Sequence, residues 1–133
     1  MIKMKDITGG LSKEKRRSDS LWCQIFIRPL SFIVSWVFVN IGVTAFQVSA
    51  LAIVFPIAAF ALFICSNPFT AILLLNIWLI LDCVDGNIAR VQGPSRMGGF
   101  VDAVSGYFMF GLSFFGAGLY LTIADGSSIA WIW

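Results

Sequence analysis

Apolar residues fill this chain in long blocks, and polar residues mark where the blocks end. No charged residue occurs from position 29 through position 81. A helix needs about 20 residues to cross the hydrocarbon core of a bilayer, so this stretch holds two spans and a turn. Ser66-Asn67-Pro68 supplies the turn, because Asn-Pro favours turn initiation and the residue before a proline leaves the helical region. The pattern predicts one span over about 44–65 and a second over about 69–89. Gly93-Pro94-Ser95 breaks the chain next, and a third span follows over about 98–124. Asp125-Gly126-Ser127-Ser128 reads as a polar loop, and the apolar tail 129–133 is too short to cross.

The N-terminal part is less regular. Residues 20–40 are mostly apolar, but Arg28 and Pro29 interrupt them. An arginine at mid-helix is expensive in hydrocarbon, and a proline removes a backbone donor. The segment therefore reads as a helix lying at the interface, with Trp22 and Trp36 at headgroup level. Residues 1–19 form a polar leader, mobile or surface-lying, with the run Lys13-Glu14-Lys15-Arg16-Arg17. A cleaved signal peptide is the competing reading. It is disfavoured because hydrophobicity continues far beyond any short h-region.

Composition turns this pattern into a fold class. Of 133 residues, 59% are apolar and 12% charged, against about 25% charged in soluble domains; the mean hydropathy is +0.89. The chain reads as an all-α integral membrane protein, with the interfacial helix and three transmembrane helices forming one membrane domain over 20–133. All nine Lys and Arg fall between positions 3 and 28 or at Arg90 and Arg96. Basic residues beside membrane segments are a topology signal or a contact to anionic lipid, so no nucleic-acid partner is expected. With two spans between them, both basic groups lie on one side, the cytoplasm; a spanning 20–40 segment would separate them. The N-terminus is therefore expected inside and the C-terminus outside. There is no histidine, which removes the commonest general base and zinc ligand. Cys23, Cys65 and Cys83 lack metal-ligand spacing and read as free, buried thiols.

The chemistry concentrates in residues 82–106. Asp82 and Asp85 are three apart and share a helix face, with Gly86 four residues after the first and Ala89 four after the second. On the next span Gly98, Asp102 and Gly106 recur every four residues. Ionisable residues at a span's end are a functional-site hypothesis. If the two faces meet, three carboxylates repel one another unless a cation neutralises them. All-oxygen ligands suit a hard ion, Mg²⁺, Mn²⁺ or Ca²⁺, which commonly binds through a few carboxylates plus substrate phosphates. Arg90, at the helix end, can pair with phosphate oxygens. Metal, arginine and a small-residue cleft suggest phosphoryl-group transfer. Boundary charges on a small carrier or channel subunit are the blander alternative.

These residues resemble the signature of the CDP-alcohol phosphatidyltransferases, Asp-x-x-Asp-Gly-x-x-Ala-Arg followed by Gly-x-x-x-Asp-x-x-x-Asp. Asp82, Asp85, Gly86, Ala89, Arg90, Gly98 and Asp102 match it in type and spacing, and Ser95 fits a common form. Upstream, Arg28-Pro29-Leu30 and the stretch 42–49 look like the family's approach to its first membrane helix, with Ala45 and Phe46 where Pro and Asn are common. The resemblance implies transfer of a substituted phosphate from a CDP-linked donor to an alcohol acceptor, releasing CMP, in phospholipid or membrane-glycan synthesis, at the cytoplasmic face of a membrane such as the bacterial inner membrane. It implies Asp82, Asp85 and Asp102 as ligands of two divalent ions, Mg²⁺ or Mn²⁺. Gly86, Ala89, Ser95 and Gly98 would line the nucleotide site, and Arg90 would contact phosphate. Two departures stand out. The family's last aspartate, usually general base and metal ligand, corresponds to Gly106, which leaves the catalytic base unassigned and admits a non-catalytic CDP- and metal-binding or scaffold subunit. The family usually has six membrane helices, and three are expected here. The chain is then a fragment, or a short form that assembles as a homodimer or with a partner membrane subunit.

Overall fold

The computed structural model describes residues 2–9, 19–93 and 97–126. The basic run 13–17, Ser95 and the tail 127–133 lie outside the described residues. The elements are α1 (Met4–Gly9), α2 (Cys23–Asn40), α3 (Ala45–Ala52), α4 (Val54–Ile64), α5 (Pro68–Gln92) and α6 (Gly98–Asp125). Among the described residues there is no strand. The protein has an all-α membrane fold: four helical stretches, with α3 and α4 counted as one, are long and apolar enough to cross a bilayer.

Each helix end follows from local sequence. α2 closes in a Schellman turn: Val43 N–H donates to the Phe38 carbonyl, and Gly42 takes φ +85°, where a side chain would be strained. Thr44 then opens α3 with a capping box, its hydroxyl accepting from Gln47 N–H while Gln47 Oε1 accepts from Thr44 N–H. α3 gives way to α4 at Ile53 because Pro56 cannot donate to Ala52 and crowds its carbonyl. α4 ends at Ile64; Ser66 turns the chain at φ +55°, and Asn67 caps α5 by accepting from Thr70 N–H at 3.3 Å.

The interruption expected at Arg28-Pro29 does not break the helix. Residues Cys23–Ile27 form a π-turn instead, and Arg28 N–H donates to the Cys23 carbonyl, five residues back. This wider turn takes up the proline's missing donor and ring bulk. α2 then runs parallel to α5. Trp22 Nε1 donates to Asn76 Oδ1 at 3.2 Å, Cys23 and Ile27 pack with Cys83, and Asn87 bonds to Ser31 and Ser35. Charge placement predicts an interfacial helix here; the structure instead lays α2 along α5, with the length and hydropathy of a span. Of the two expectations for the leader, mobile or surface-lying, its described first part follows the second. Its residues 2–9 dock on the end of α2: Ile2 N–H donates to Asn40 Oδ1, Trp36 Nε1 donates to the Ile2 carbonyl, and Ile7 is buried.

Val39, Val48, Ala52, Trp78, Leu81, Val84 and Ile88 form the main core at one end of the bundle. Ala59, Phe63 and Ala71 form a smaller one at the other. α6 packs chiefly on α3 and α4, and its tie to α5 is Trp78 Nε1 donating to Ser105 Oγ at 2.8 Å. Its outer side is apolar and open, with Tyr107, Phe110 and Phe114 exposed. Cys23 and Cys83 are buried as expected, but Cys65 is exposed, because it caps α4 at the turn.

Gly116 sets the approach of α6 to α4: a Cβ there would fall 2.9 Å from Phe63 Cδ2 and 3.1 Å from Phe60 Cδ2. Gly111, on the same helix, would meet nothing within 4 Å. Gly116→Val should therefore destabilise the protein by about 1–3 kcal/mol more than Gly111→Val, the cost of overpacking. Reversible unfolding of both variants in mixed micelles measures the difference. Equal losses would sink the close-packing assignment.

Candidate functional site

The last three turns of α5 carry Asp82, Asp85, Gly86, Ala89 and Arg90. The first two turns of α6 carry Gly98 and Asp102, and the start of α3 carries Ala45 and Ser49. Gln92 Nε2 donates to the Val43 carbonyl at 3.1 Å, which holds the end of α5 against the approach to α3. All three sets thus gather at one end of the bundle. Residues 2–9, with Lys3 and Lys5, dock at that same end.

The two carboxylate-bearing helices do not meet face to face. α3 stands between them, and a cavity of about 220 Å³ opens where the three converge. Its walls are Ala45 and Ser49 from α3, Asp85, Gly86 and Ala89 from α5, and Gly98, Gly99 and Asp102 from α6. Asp85 is 6% exposed and Ser49 only 2%. Ser49 Oγ lies 2.5 Å from Asp85 Oδ2 and 3.1 Å from the Ala45 carbonyl. Its single proton serves one of the two. Asp102 is exposed at the rim.

Asp82 takes a different direction. It lines a second cavity of about 140 Å³ with Asp19, Cys23, Arg28, Cys83 and Arg90. Side chains three apart on a helix diverge by roughly 60°, and here that angle is enough to put Asp82 toward α2 and Asp85 toward α3. Gly86 borders both cavities, so they adjoin at a position without a side chain. Arg28 is buried and its Nε donates to Asp19 Oδ2 at 2.7 Å. Arg90 is exposed, and its Nη2 donates to Asn87 Oδ1.

The structure thus brings Asp85, Gly86, Ala89, Gly98 and Asp102 to one cavity and sets Asp82 and Arg90 in its neighbour. The expected convergence of all three aspartates is not seen. Among the described residues, no group of three or more acidic or thiol side chains is arranged to hold a metal ion. The donor set still suits a hard cation in kind, since the carboxylates of Asp85 and Asp102 and the Ser49 hydroxyl are all oxygen. Both Asp102 and Asp82 act electrostatically on Asp85, so a cation among them would relieve repulsion. Two of the three carboxylates therefore line one cavity and fit a hard cation in kind, and the third fits in kind only. Near Gly106 no replacement base comes forward. Ser105 is buried and accepts from Trp78, and Tyr107 is 78% exposed on the outer side.

Sequence reasoning did not single out Ser49, Asn87 or the Asp19 partner of Arg28 as parts of the site. Polar residues within apolar spans are the signal that marks the first two, because buried polar groups need partners. The partner of Arg28 is nine residues upstream, across the π-turn, and no fixed spacing announces it.

Residues 42–133 match a sequence model of the CDP-alcohol phosphatidyltransferase family. The matched stretch holds α3 through α6 and leaves out Asp19, Cys23 and Arg28. No curated protein and no solved structure matches the chain.

The Arg28–Asp19 pair is buried on both sides, at 8% and 14% side-chain exposure. Asp19→Asn leaves the guanidinium without its countercharge and should cost about 3–5 kcal/mol, whereas replacing both partners by apolar residues should cost much less. Unfolding in mixed micelles of Asp19→Asn, and of Asp19→Leu combined with Arg28→Met, checks the contrast. An Asp19→Asn variant as stable as the wild type would mean the pair carries no weight.

Proposed function

Because the chain belongs to the CDP-alcohol phosphatidyltransferase family, a family of membrane transferases, we propose that it transfers a substituted phosphate from a CDP-linked donor to an alcohol acceptor, releasing CMP, in phospholipid or membrane-glycan synthesis. The observation that carries this reading is the pair of cavities that adjoin at Gly86 of the family-matched α5, with Asp85 and Asp102 lining one and Asp82 and Arg90 lining the other. Gly86, Ala89 and Gly98 keep the walls thin, so a nucleotide diphosphate can lie close to backbone. Arg90, exposed and at the C-terminal turn of α5, is available to phosphate oxygens as a charge-assisted donor. Asp85 and Asp102 would hold the metal, Mg²⁺ or Mn²⁺, with Asp82 joining on closure around the donor. When bound, the ion supplies positive charge to the diphosphate. In the transfer, the acceptor oxygen forms a bond to the donor's alcohol-linked phosphorus, and the bond from that phosphorus to the CMP oxygen breaks. The hydroxyl proton leaves to water or to substrate phosphate, since position 106 offers no carboxylate.

We place the site end on the cytoplasmic side. Lys3, Lys5 and Arg90 lie together at that end, which agrees with the charge bias of membrane proteins.

Gly106 favours a second reading, a CDP- and metal-binding subunit that does not turn over. A Cβ at Gly106 would meet nothing within 4 Å, so Gly106→Asp can be accommodated. Calorimetry on the whole chain in lipid nanodiscs with Mg²⁺ should detect CDP binding, and Asp85→Asn and Asp102→Asn should each weaken it by about tenfold or more, the scale of one lost charge-assisted contact. No CDP binding by the wild type would overturn the assignment. CMP release from a panel of CDP-alcohols then separates the two readings: a large gain in Gly106→Asp over a silent wild type supports the binding subunit, and equal turnover supports an enzyme that dispenses with that carboxylate.

A further inference from the structure

Asn87 is the most buried polar residue on α5, with no exposed surface, and the transfer chemistry makes no direct use of it. Its side chain is committed on every side. The amide nitrogen donates to Ser31 Oγ at 3.3 Å and to Ser35 Oγ at 3.0 Å, both on α2. The amide oxygen accepts from Arg90 Nη2. The serine hydroxyls have already spent their protons: Ser31 Oγ donates to the Arg28 carbonyl at 2.9 Å and Ser35 Oγ to the Ser31 carbonyl. A hydroxyl carries one proton, so both serines can only accept from Asn87. They force the amide nitrogen toward α2 and its oxygen toward Arg90. Ser31 and Ser35 have no exposed surface either, so water cannot substitute for them.

We propose that Asn87 is a positioning residue, oriented by Ser31 and Ser35, which aims the Arg90 guanidinium at the diphosphate of the CDP-linked donor. The N-terminal helix, outside the family-matched stretch 42–133, thereby becomes part of the donor site. This rests on the reading of Arg90 as a phosphate contact. An arginine side chain has about 2 kcal/mol of rotamer freedom to lose when it binds, and a fixed acceptor for one arm of its fork, Nη2, removes part of that loss beforehand. The same bonds explain why α2 runs alongside α5 at this depth: a buried amide in an apolar span needs its partners.

The test is CDP affinity by calorimetry on the whole chain in nanodiscs with Mg²⁺, in two variant sets. Asn87→Leu removes the amide, and Ser31→Ala with Ser35→Ala leaves Asn87 in place but frees it to turn. Each set should weaken CDP by roughly three- to tenfold, a part of the rotamer freedom that Arg90 would otherwise lose on binding. In an Arg90→Ala background, neither should weaken it further, because the two groups act as one. Unchanged affinity, or the same loss with Arg90 absent, would overturn the positioning role and leave the transferase reading intact. A wild type that does not bind CDP would overturn both. If Asn87→Leu fails to fold, the milder serine pair decides.

Discussion

A bilayer offers no water to a polar group, so each carboxylate, guanidinium and amide in these spans has to find its partner in the protein. Asp85 is the residue on which most depends. It is buried at the end of α5, and the Ser49 hydroxyl meets it from α3. That contact brings α3 between α5 and α6 and shapes the larger cavity. Lone buried charges are too expensive to keep; Asp85 has a hydroxyl partner and an adjoining cavity instead. The geometry that satisfies Asp85 is also the geometry that leaves Asp102 across the opening.

The same constraint organises the other side of α5. Arg28 is paired with Asp19, and Asn87 with two serines and Arg90. All of these draw α2 onto α5, although α2 lies outside the stretch that matches the family. Apolar contacts alone would not select this alignment, because lipid tails are as apolar as leucine. Hydrogen bonds with directions do select it. The π-turn before Pro29 is the local adjustment that keeps α2 continuous while Arg28 reaches Asp19.

Much of the architecture was legible in the sequence. The charge-free run from 29 to 81 does hold the two spans read into it, with Asn67-Pro68 turning between them, but it also holds the latter part of α2, a fourth helix of span length. The seven residues that resemble the transferase signature led to the family that the match over 42–133 supports, and five site residues do line one cavity. The direction of Asp82 was not legible. Spacing of three puts two side chains on one face in a coarse sense, yet the neighbours decide whether they converge, and here α2 and α3 draw them apart. Nor was α2 legible as a continuous helix. Proline rules describe an ideal α-helix, and a π-turn escapes them at little cost.

Gly106 shows how far position-by-position resemblance reaches. Family spacing places a carboxylate there, and the surroundings have room for one. Absence of the side chain is therefore not forced by packing, unlike at Gly116, where Phe63 and Phe60 close the space. A glycine kept tight by its neighbours reports on helix packing; Gly106, like Gly111, has open space where a Cβ would stand and is not held by packing. Under the transfer we propose, a metal and nucleotide side of the site and an acceptor-activating side are then distinct. The first would rest on Asp85, Ser49, Gly98 and Asp102, which line one cavity between α3, α5 and α6. The second has no side chain at the position where the family signature carries an aspartate, so in that reading the proton of the acceptor would pass to the substrate or to solvent.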